Sequence, residues 1–262
     1  MKLSISNIAW TAEQDLQMST KLNNLSFVGL EIAPTRIFVK NPYDDLVQAH
    51  NWSLNLEEQN GLSISSMQSI WYGRQEKLFG TVEERVTLLD YTKKAIDFAS
   101  AIDCKNLVFG CPRNRNMPDN CDESVAIEFF KEIGDYAYEH NTVIGMEANP
   151  PMYNTNYINT TKSAIELIHN VNSQGFKLNL DVGTMLANGE DVSLLEGNVN
   201  LINHVHISEP GLKTIEKRKL HQELYNLLLK ENYQNFISIE MGKQDDIAII
   251  EKAMTYVKSI FG

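Results

Sequence analysis

Residues 142–149 read TVIGMEAN, a β-branched and apolar run that ends close to the carboxylate of Glu147 and is followed by two prolines. A short, largely apolar run of this kind is typical of a strand buried in a parallel sheet. Three later segments repeat the pattern, each with a side chain able to bind a metal at or near its C-terminal end: KLNLDVG at 177–183 with Asp181, NHVHIS at 203–208 with His206, and FISIEM at 236–241 with Glu240. The sequence therefore places four candidate metal ligands at equivalent positions of four predicted strands.

Patterns typical of strands and helices alternate along the whole chain. The predicted strands are 3–9, 26–32, 63–68, 106–109, 142–149, 177–182, 204–208 and 236–241. The predicted helices lie near 12–25, 43–60, 82–101, 123–140, 160–171, 192–196, 215–231 and 246–260. Pro34 is expected to prevent a helix from starting directly after the second strand. Because such alternation predicts parallel strands, and 262 residues is a typical barrel length, we predict an α/β fold with a single (β/α)8 TIM barrel domain spanning residues 1–262.

A doubly wound open sheet is the structural alternative. The first strand–helix turn lacks the GxGxxG sequence that binds dinucleotides in such sheets, and no reversal of strand order is evident. In a closed barrel, the C-terminal ends of all strands form one rim, where active sites are built from the loops that follow the strands. We therefore expect the four candidate ligands to converge on this rim.

Composition excludes several classes of protein. The formal net charge of −11 disfavours a nucleic-acid partner, since such binding depends on lysine and arginine contacts to phosphates. Residues 1–10 lack the apolar region of a signal peptide, and no apolar run approaches about 18 residues, so we expect neither export nor membrane contact. Three cysteines without a CxxC pair favour reduced thiols in a cytoplasmic protein. The oligomeric state is left open, with a homo-oligomer as one alternative.

Three carboxylates and one imidazole form a ligand set suited to one divalent metal ion. Such a set favours Mn²⁺, Mg²⁺ or Co²⁺, with Zn²⁺ or Fe²⁺ as alternatives. A metal held there would polarise a sugar carbonyl and stabilise an enediolate, while a neighbouring carboxylate removes and returns a proton. Each residue taken alone also has an ordinary explanation, as a helix cap for the acids or as a core side chain for the histidine.

The chain also resembles a known family through a set of ordered motifs: GLEIAP at 29–34, MEANPP at 146–151, LDVGT at 180–184, HVHISEP at 204–210 and SIEM at 238–241. These motifs resemble the sugar phosphate isomerase/epimerase family of the xylose-isomerase-like barrels. The resemblance implies that the metal ligands are Glu147, Asp181, His206 and Glu240. It also implies that Glu147 and Glu240 are the catalytic pair that transfers protons on opposite faces of the sugar.

One position departs from the family pattern. Many members have a histidine three residues after the aspartate, whereas this chain has Thr184, which cannot act as a ligand or proton carrier in its place. The departure argues against a close match to the characterised epimerases. The small number of suitably placed histidines also counts against the apurinic-site endonucleases of the same superfamily, which use trinuclear zinc sites.

Further side chains near the predicted rim are candidates for contact with substrate. Grouped by the contact that they suit, they are Trp10 and Trp71 for stacking on a sugar ring, Gln68 and Asn149 for hydroxyl groups, His204 for His206 or the substrate, and Arg113 and Arg115 for an anionic group. Arg36 and Arg74 also fall in loops of the predicted rim. Glu31 is either a partner behind a metal ligand or a buried structural residue. Each of these side chains also has a core, turn or solvated-loop interpretation.

The combined evidence predicts a divalent-metal-dependent sugar isomerase or epimerase that transfers protons through an enediolate. Its expected partner is a small sugar or sugar phosphate. The alternatives are an inosose-type dehydratase of keto-polyols, which would expel a hydroxyl after the same proton abstraction, and a barrel that binds sugar without turnover. Product analysis separates the first alternative, and hydrogen exchange with solvent at a substrate carbon separates the second.

Overall fold

Eight parallel strands form a closed barrel in the computed structural model, which describes residues 1–262. The strands are β1 Lys2–Ser6, β2 Gly29–Ile32, β3 Ser63–Met67, β4 Leu107–Phe109, β5 Ile144–Met146, β6 Phe176–Asp181, β7 Ile202–Ile207 and β8 Phe236–Ile239. Each strand pairs with the next in the chain, and β8 pairs with β1, with Ile5 opposite Ile239. The predicted (β/α)8 barrel is confirmed, and the open-sheet alternative is wrong.

Helices surround the barrel. They are α1 Asp15–Asn24, α2 Pro34–Ile37, α3 Leu46–Asn60, α4 Val82–Ala101, α5 Ser124–Glu139, α6 Thr161–Val171, α7 Val182–Asn188, α8 Lys219–Lys230 and α9 Ile247–Phe261. Local sequence explains several of their ends. At the start of α4, the Thr81 hydroxyl accepts from the Glu84 backbone N–H at 3.2 Å, and the Glu84 carboxylate accepts from the Thr81 N–H at 2.8 Å. None of these helices combines the length and the apolar composition needed to cross a membrane.

The helices differ from expectation in three places. A short helix, α2, does start at Pro34, because the fixed φ of proline suits the first helical turn and that turn needs no donor from its N–H. The helix α7 starts directly after β6 and was not expected. Asp181 caps it by accepting from the Thr184 backbone N–H at 2.5 Å, so the acid that ends the strand also begins the helix. The helix expected near 192–196 is only the 3-10 turn Val192–Leu195.

The interior of the barrel is polar beneath the C-terminal rim. Apolar side chains form a continuous core of 67 buried residues between the strands and the surrounding helices. Inside the barrel, by contrast, the hydroxyls of Ser4 and Ser65 lie 2.5 Å apart, and the Asn106 amide donates to the oxygen of Asn179 at 3.2 Å. Buried polar groups are tolerated when they are hydrogen-bonded in this way. This polar layer leads upward to the candidate site.

Candidate metal centre

The four predicted ligands meet at the C-terminal rim. Glu147 follows β5, Asp181 ends β6, His206 lies near the end of β7 and Glu240 follows β8. One ligand atom from each lies within 4.8 Å of those from the others. They meet because parallel strands in a closed barrel end on the same side.

The contacts within this group are short, and most of the side chains are buried. His206 is fully buried, and its Nδ1 lies 2.9 Å from Oε1 of Glu147 and 3.3 Å from Oε2 of Glu240. Asp181 accepts from the Ser208 hydroxyl at 2.5 Å through Oδ2. The imidazole and the carboxylates therefore face a common centre.

Crowded negative charge perturbs the acids of this centre. Burial, together with the charge of Glu147, raises the pKa of Asp181 to about 6. Burial likewise raises the pKa of Glu240 to about 7. Burial alone would lower the pKa of His206, but the charges of Glu31 and Glu240 outweigh it and raise that pKa well above its usual range. The raised pKa values of the two carboxyls show that their ionised forms are unfavourable in this buried and negatively charged site. A divalent cation would neutralise that charge.

Glu31 lies behind the imidazole of His206. Its Oε2 is 2.8 Å from Nε2 of His206 and 3.1 Å from Nε2 of His204. Burial opposes ionisation of Glu31, but the two histidines outweigh it and hold the pKa of this carboxyl well below its usual range. Glu31 and His204 thus form a layer beneath the proposed ligands, and neither lines the cavity above.

Sequence reasoning missed Asn179 and Ser208, which hold the ligands in place. The Asn179 amide donates to Oε1 of Glu147 at 2.9 Å, and Ser208 holds Asp181. Asn179 lies two residues before Asp181 on β6, and Ser208 lies two residues after His206, just past the end of β7. With the two-residue period of a strand, each side chain points to the same side of the barrel as that predicted ligand. That period of two was the signal that would have identified them.

A cavity of about 180 Å³ opens above the ligands. Its wall includes Glu147, Asp181 and Glu240, together with Gln68 and Asn149, two of the side chains predicted to contact substrate. Asn149 also donates to Oε2 of Glu147 at 3.1 Å. The remaining wall includes Tyr153, Ser208, Glu209 and Leu212 but no lysine, arginine or histidine. The cavity is therefore acidic and rich in hydrogen-bonding groups.

The two tryptophans proposed for sugar stacking lie outside this cavity. The Trp10 indole is 3% exposed and donates to Oδ1 of Asp15 at 2.7 Å. The Trp71 indole donates to the Thr92 hydroxyl at 2.8 Å and packs edge-on against Phe109. Both rings are therefore engaged within the protein.

The arginines predicted for the rim have different surroundings. Arg115 is fully buried, and it donates to the backbone oxygen of Glu147 at 2.9 Å and to Oδ1 of Asn149 at 3.0 Å. Arg115 is therefore not exposed to an anionic ligand, and its guanidinium supports the segment that carries Glu147. Arg113 is exposed and lines an adjoining cavity with Lys77, while Arg36 and Arg74 form ion pairs with acidic neighbours.

Thr184, which stands where the family pattern led us to expect histidine, has a structural role. Its side chain is 1% exposed and donates to the backbone oxygen of Ala148 at 2.8 Å. It therefore ties the start of α7 to the segment after β5, and it does not line the cavity. The site has no imidazole from this position.

The fold and the site define a closed parallel barrel with an acidic, histidine-containing centre at its C-terminal rim. The chain belongs to the xylose isomerase-like TIM barrel family, whose model matches residues 27–260. The family resemblance of the sequence motifs is thereby confirmed. Among the curated proteins, none matches the chain in sequence.

Solved structures share the fold at low sequence identity. The 3-keto-D-glucoside 4-epimerase YcjR from E. coli superposes with a TM-score of 0.77 at 18% identity, covering 99% of each chain. A D-psicose 3-epimerase from Clostridium cellulolyticum H10, solved with D-tagatose, has a TM-score of 0.81 at 15% identity, covering 100% of this chain and 99% of that one. The probable 3-DHS dehydratase AsbF from Bacillus anthracis has a TM-score of 0.69 at 17% identity, covering 98% of each.

Proposed function

We propose that this protein is a divalent-metal-dependent sugar isomerase or epimerase. It removes the proton next to a sugar carbonyl and returns it through an enediolate. The observation that carries the proposal is the meeting of four ligand atoms within 4.8 Å, beside a cavity whose wall contains three of the four residues. The structural likeness to sugar epimerases supports the same class of reaction.

The donor set fits one divalent cation. Glu147, Asp181, His206 and Glu240 would hold it. The raised pKa values of Asp181 and Glu240 reflect first their burial and then the neighbouring negative charge that the cation would offset. Oxygen-rich sets of this kind favour Mn²⁺, Mg²⁺ or Co²⁺. When bound, the cation supplies an electrophile that acidifies the carbon next to a carbonyl.

The chain's own carboxylates are suited to move the proton. Glu240 follows β8 and lines the cavity wall, where its carboxylate can take a proton from a bound sugar and return it. Glu147 is held by Asn149 and Asn179, which fix its two oxygens. The two glutamates follow β5 and β8, which lie three strands apart in a ring of eight, so they approach a bound sugar from different sides. This arrangement suits removal of a proton at one face and its return at the other.

The substrate that fits this cavity is an uncharged keto- or aldo-sugar. Its wall carries the carboxylates of Glu147, Asp181 and Glu240, and also that of Glu209, which is paired with Arg218 at 2.7 Å. Carboxylates and amides bind hydroxyl groups well, whereas they repel a phosphate unless a cation compensates. A sugar phosphate would have to extend to Arg113 in the adjoining cavity.

A screen of keto- and aldo-sugars and their phosphates in D₂O tests the proposal. The protein is loaded with Mn²⁺ and incubated with each sugar, the metal is removed, and NMR detects deuterium at carbon. We expect deuterium next to the carbonyl of a neutral sugar, together with an epimer or isomer. The same protein treated with chelator, and an Asp181→Asn variant, serve as controls. A complete absence of exchange across the panel would contradict catalysis and leave the sugar-binding alternative.

A dehydratase is the second candidate. It shares the first proton abstraction, after which the carboxyl that took the proton could give it to the leaving hydroxyl. The structural likeness to a probable dehydratase supports its inclusion. Loss of water, measured as a mass decrease of the product, would identify this reaction instead of epimerisation.

A further inference from the structure

A second buried cluster lies beneath the proposed metal ligands and is not accounted for by ligation alone. It consists of Glu31 on β2 and the two histidines of β7, His204 and His206, all 1% exposed or less. An ionised carboxylate in a fully buried position is costly unless it is paired and hydrogen-bonded. The buried carboxylate of Glu31 is therefore expected to have a specific role.

The two nitrogens of the His206 ring have different partners. Nδ1 points towards the carboxylates of Glu147 and Glu240, whereas Nε2 lies 2.8 Å from Glu31. A carboxylate at that distance accepts a hydrogen bond from Nε2–H, so a metal held by the carboxylates on the other side would take the place of the proton on Nδ1. The contact thus selects one tautomer and one ring orientation.

Glu31 is itself held in place by polar contacts. Its Oε1 accepts from the Gln68 amide at 3.0 Å, and the same amide donates to the Ser6 hydroxyl at 2.5 Å. On its other side, Oε2 lies 3.1 Å from Nε2 of His204, and the rings of His204 and His206 meet edge to face at 5.3 Å. These contacts come from β1, from the residue that follows β3 and from β7, so the carboxylate has little freedom to move.

We infer that Glu31 is a positioning residue that keeps the proton on Nε2 of His206 and directs Nδ1 to the metal. The inference rests on the proposed metal centre, but not on the identity of the reaction. His204 shares the same carboxylate oxygen and packs against the ring of His206, which limits its rotation. The cluster therefore acts through His206 and does not touch the substrate, in agreement with the absence of Glu31 and His204 from the cavity wall.

The three residues of this cluster also offer atoms close enough together to hold a cation of their own. Hydrogen bonding accounts for the contact of His206, whose Nε2 meets Oε2 of Glu31 at 2.8 Å, whereas Nε2 of His204 lies 3.1 Å from the same oxygen without forming a hydrogen bond. The two accounts differ in stoichiometry. Hydrogen bonding predicts one metal ion per chain, and a second metal site predicts two.

The test uses Glu31→Gln, which keeps the size of the side chain and removes its charge. Calorimetric titration with Co²⁺ alone should give one ion per wild-type chain and a Kd about 10–100-fold higher in the variant. The matched control is Glu190→Gln, since Glu190 is a partly buried carboxylate that caps α6 through Thr161 at 2.9 Å and 2.6 Å, away from the cavity. We expect the control to bind Co²⁺ like the wild type.

A second measurement reports on the histidine directly. In the Co²⁺-loaded wild type, proton NMR in H₂O should show a strongly shifted N–H resonance from the bound His206 ring that disappears in D₂O. In Glu31→Gln this resonance should exchange faster or vanish, while circular dichroism shows an unchanged fold. Should the variant fail to fold, the wild-type resonance alone remains decisive.

Several outcomes would overturn the inference. They are an unchanged Kd in a folded Glu31→Gln variant, two Co²⁺ ions per wild-type chain, and the absence of the exchangeable resonance in the loaded wild type. None of these readouts requires turnover. A protein that binds Co²⁺ as expected but exchanges no sugar proton would refute the proposed function and leave the role of Glu31 intact.

Discussion

A Cβ atom on Gly110 would lie 2.8 Å from Oε2 of Glu147, closer than side-chain packing allows. Gly110 directly follows the end of β4, so the loop passes this close to the neighbouring strand's glutamate only because it has no side chain. The position of Glu147 therefore depends on a glycine that lies 37 residues earlier in the chain, from 110 to 147.

Gly110→Ala is expected to weaken metal binding without unfolding the protein. The added methyl group would push the Glu147 carboxylate out of the centre. Gly197→Ala is the contrast, because Gly197 has a φ of +77° and open space around it. There the substitution should cost about 1–2 kcal/mol of stability through backbone strain, with Mn²⁺ affinity unchanged. Thermal unfolding and Mn²⁺ titration of both variants separate the two effects.

Glu147→Gln and Asp181→Asn should each strongly reduce the metal content of the purified protein. Each replacement removes a negative charge from the centre and keeps the size of the side chain. Since the raised pKa of Asp181 reflects its burial and repulsion from Glu147, neither variant should unfold the metal-free barrel. Elemental analysis gives the metal content. Full stoichiometry in both variants would rule out this ligand assignment.

Metal binding should release protons and tighten as the pH rises from 5 to 8. The pKa values of Asp181 and Glu240, about 6 and about 7, mean that these carboxyls lose protons when the cation enters. In the metal-free protein they retain protons that the unfolded chain has already released. Their contribution to stability therefore falls as the pH rises from about 4 to 7. Calorimetry in buffers of different ionisation enthalpy measures the proton release, and its absence at pH 6 would contradict the raised values.

Glu240→Gln is expected to retain sugar binding while turnover falls by about 10²–10⁴-fold, the usual contribution of a positioned acid or base. Because each glutamate is proposed to serve one face of the sugar, the variant should still exchange solvent hydrogen with one epimer without interconverting the pair. Each epimer is assayed separately in D₂O, at a Mn²⁺ concentration that saturates the variant. Near-normal interconversion by the metal-loaded variant would refute the two-glutamate mechanism.

Replacing the two neighbouring arginines should have unlike effects. Arg115→Met removes the donor to the backbone oxygen of Glu147 and should destabilise the fold by about 1–3 kcal/mol for each acceptor left unpaired. Exposed Arg113 can be changed to alanine with a stability change within about 0.5 kcal/mol. The KM of the Arg113→Ala variant for a neutral sugar should equal that of the wild type. A large rise in KM confined to a phosphorylated sugar would instead support the sugar phosphate alternative.

Much of this architecture follows from the sequence by local rules. Alternating strand and helix patterns predict parallel pairing, and the number of units, eight, predicts closure. Once the barrel is accepted, the rim follows, and with it the meeting of Glu147, Asp181, His206 and Glu240. No contact between distant side chains has to be known for that step, since strand ends in a parallel barrel lie on one side.

Only the tertiary structure decided which neighbours those ligands have. Arg115 and Arg113 are two residues apart in one loop, yet one is buried against the backbone and the other faces solvent. Asn179 and Glu31 come from different strands. Asn179 donates to Glu147, a neighbour of His206, and Glu31 contacts His206 directly. Strand periodicity determines which side of the barrel a residue faces. The contact that it makes there depends on strand stagger, on loop path and on the space left where a side chain is absent, as at Gly110. These arise only when distant parts of the chain pack together.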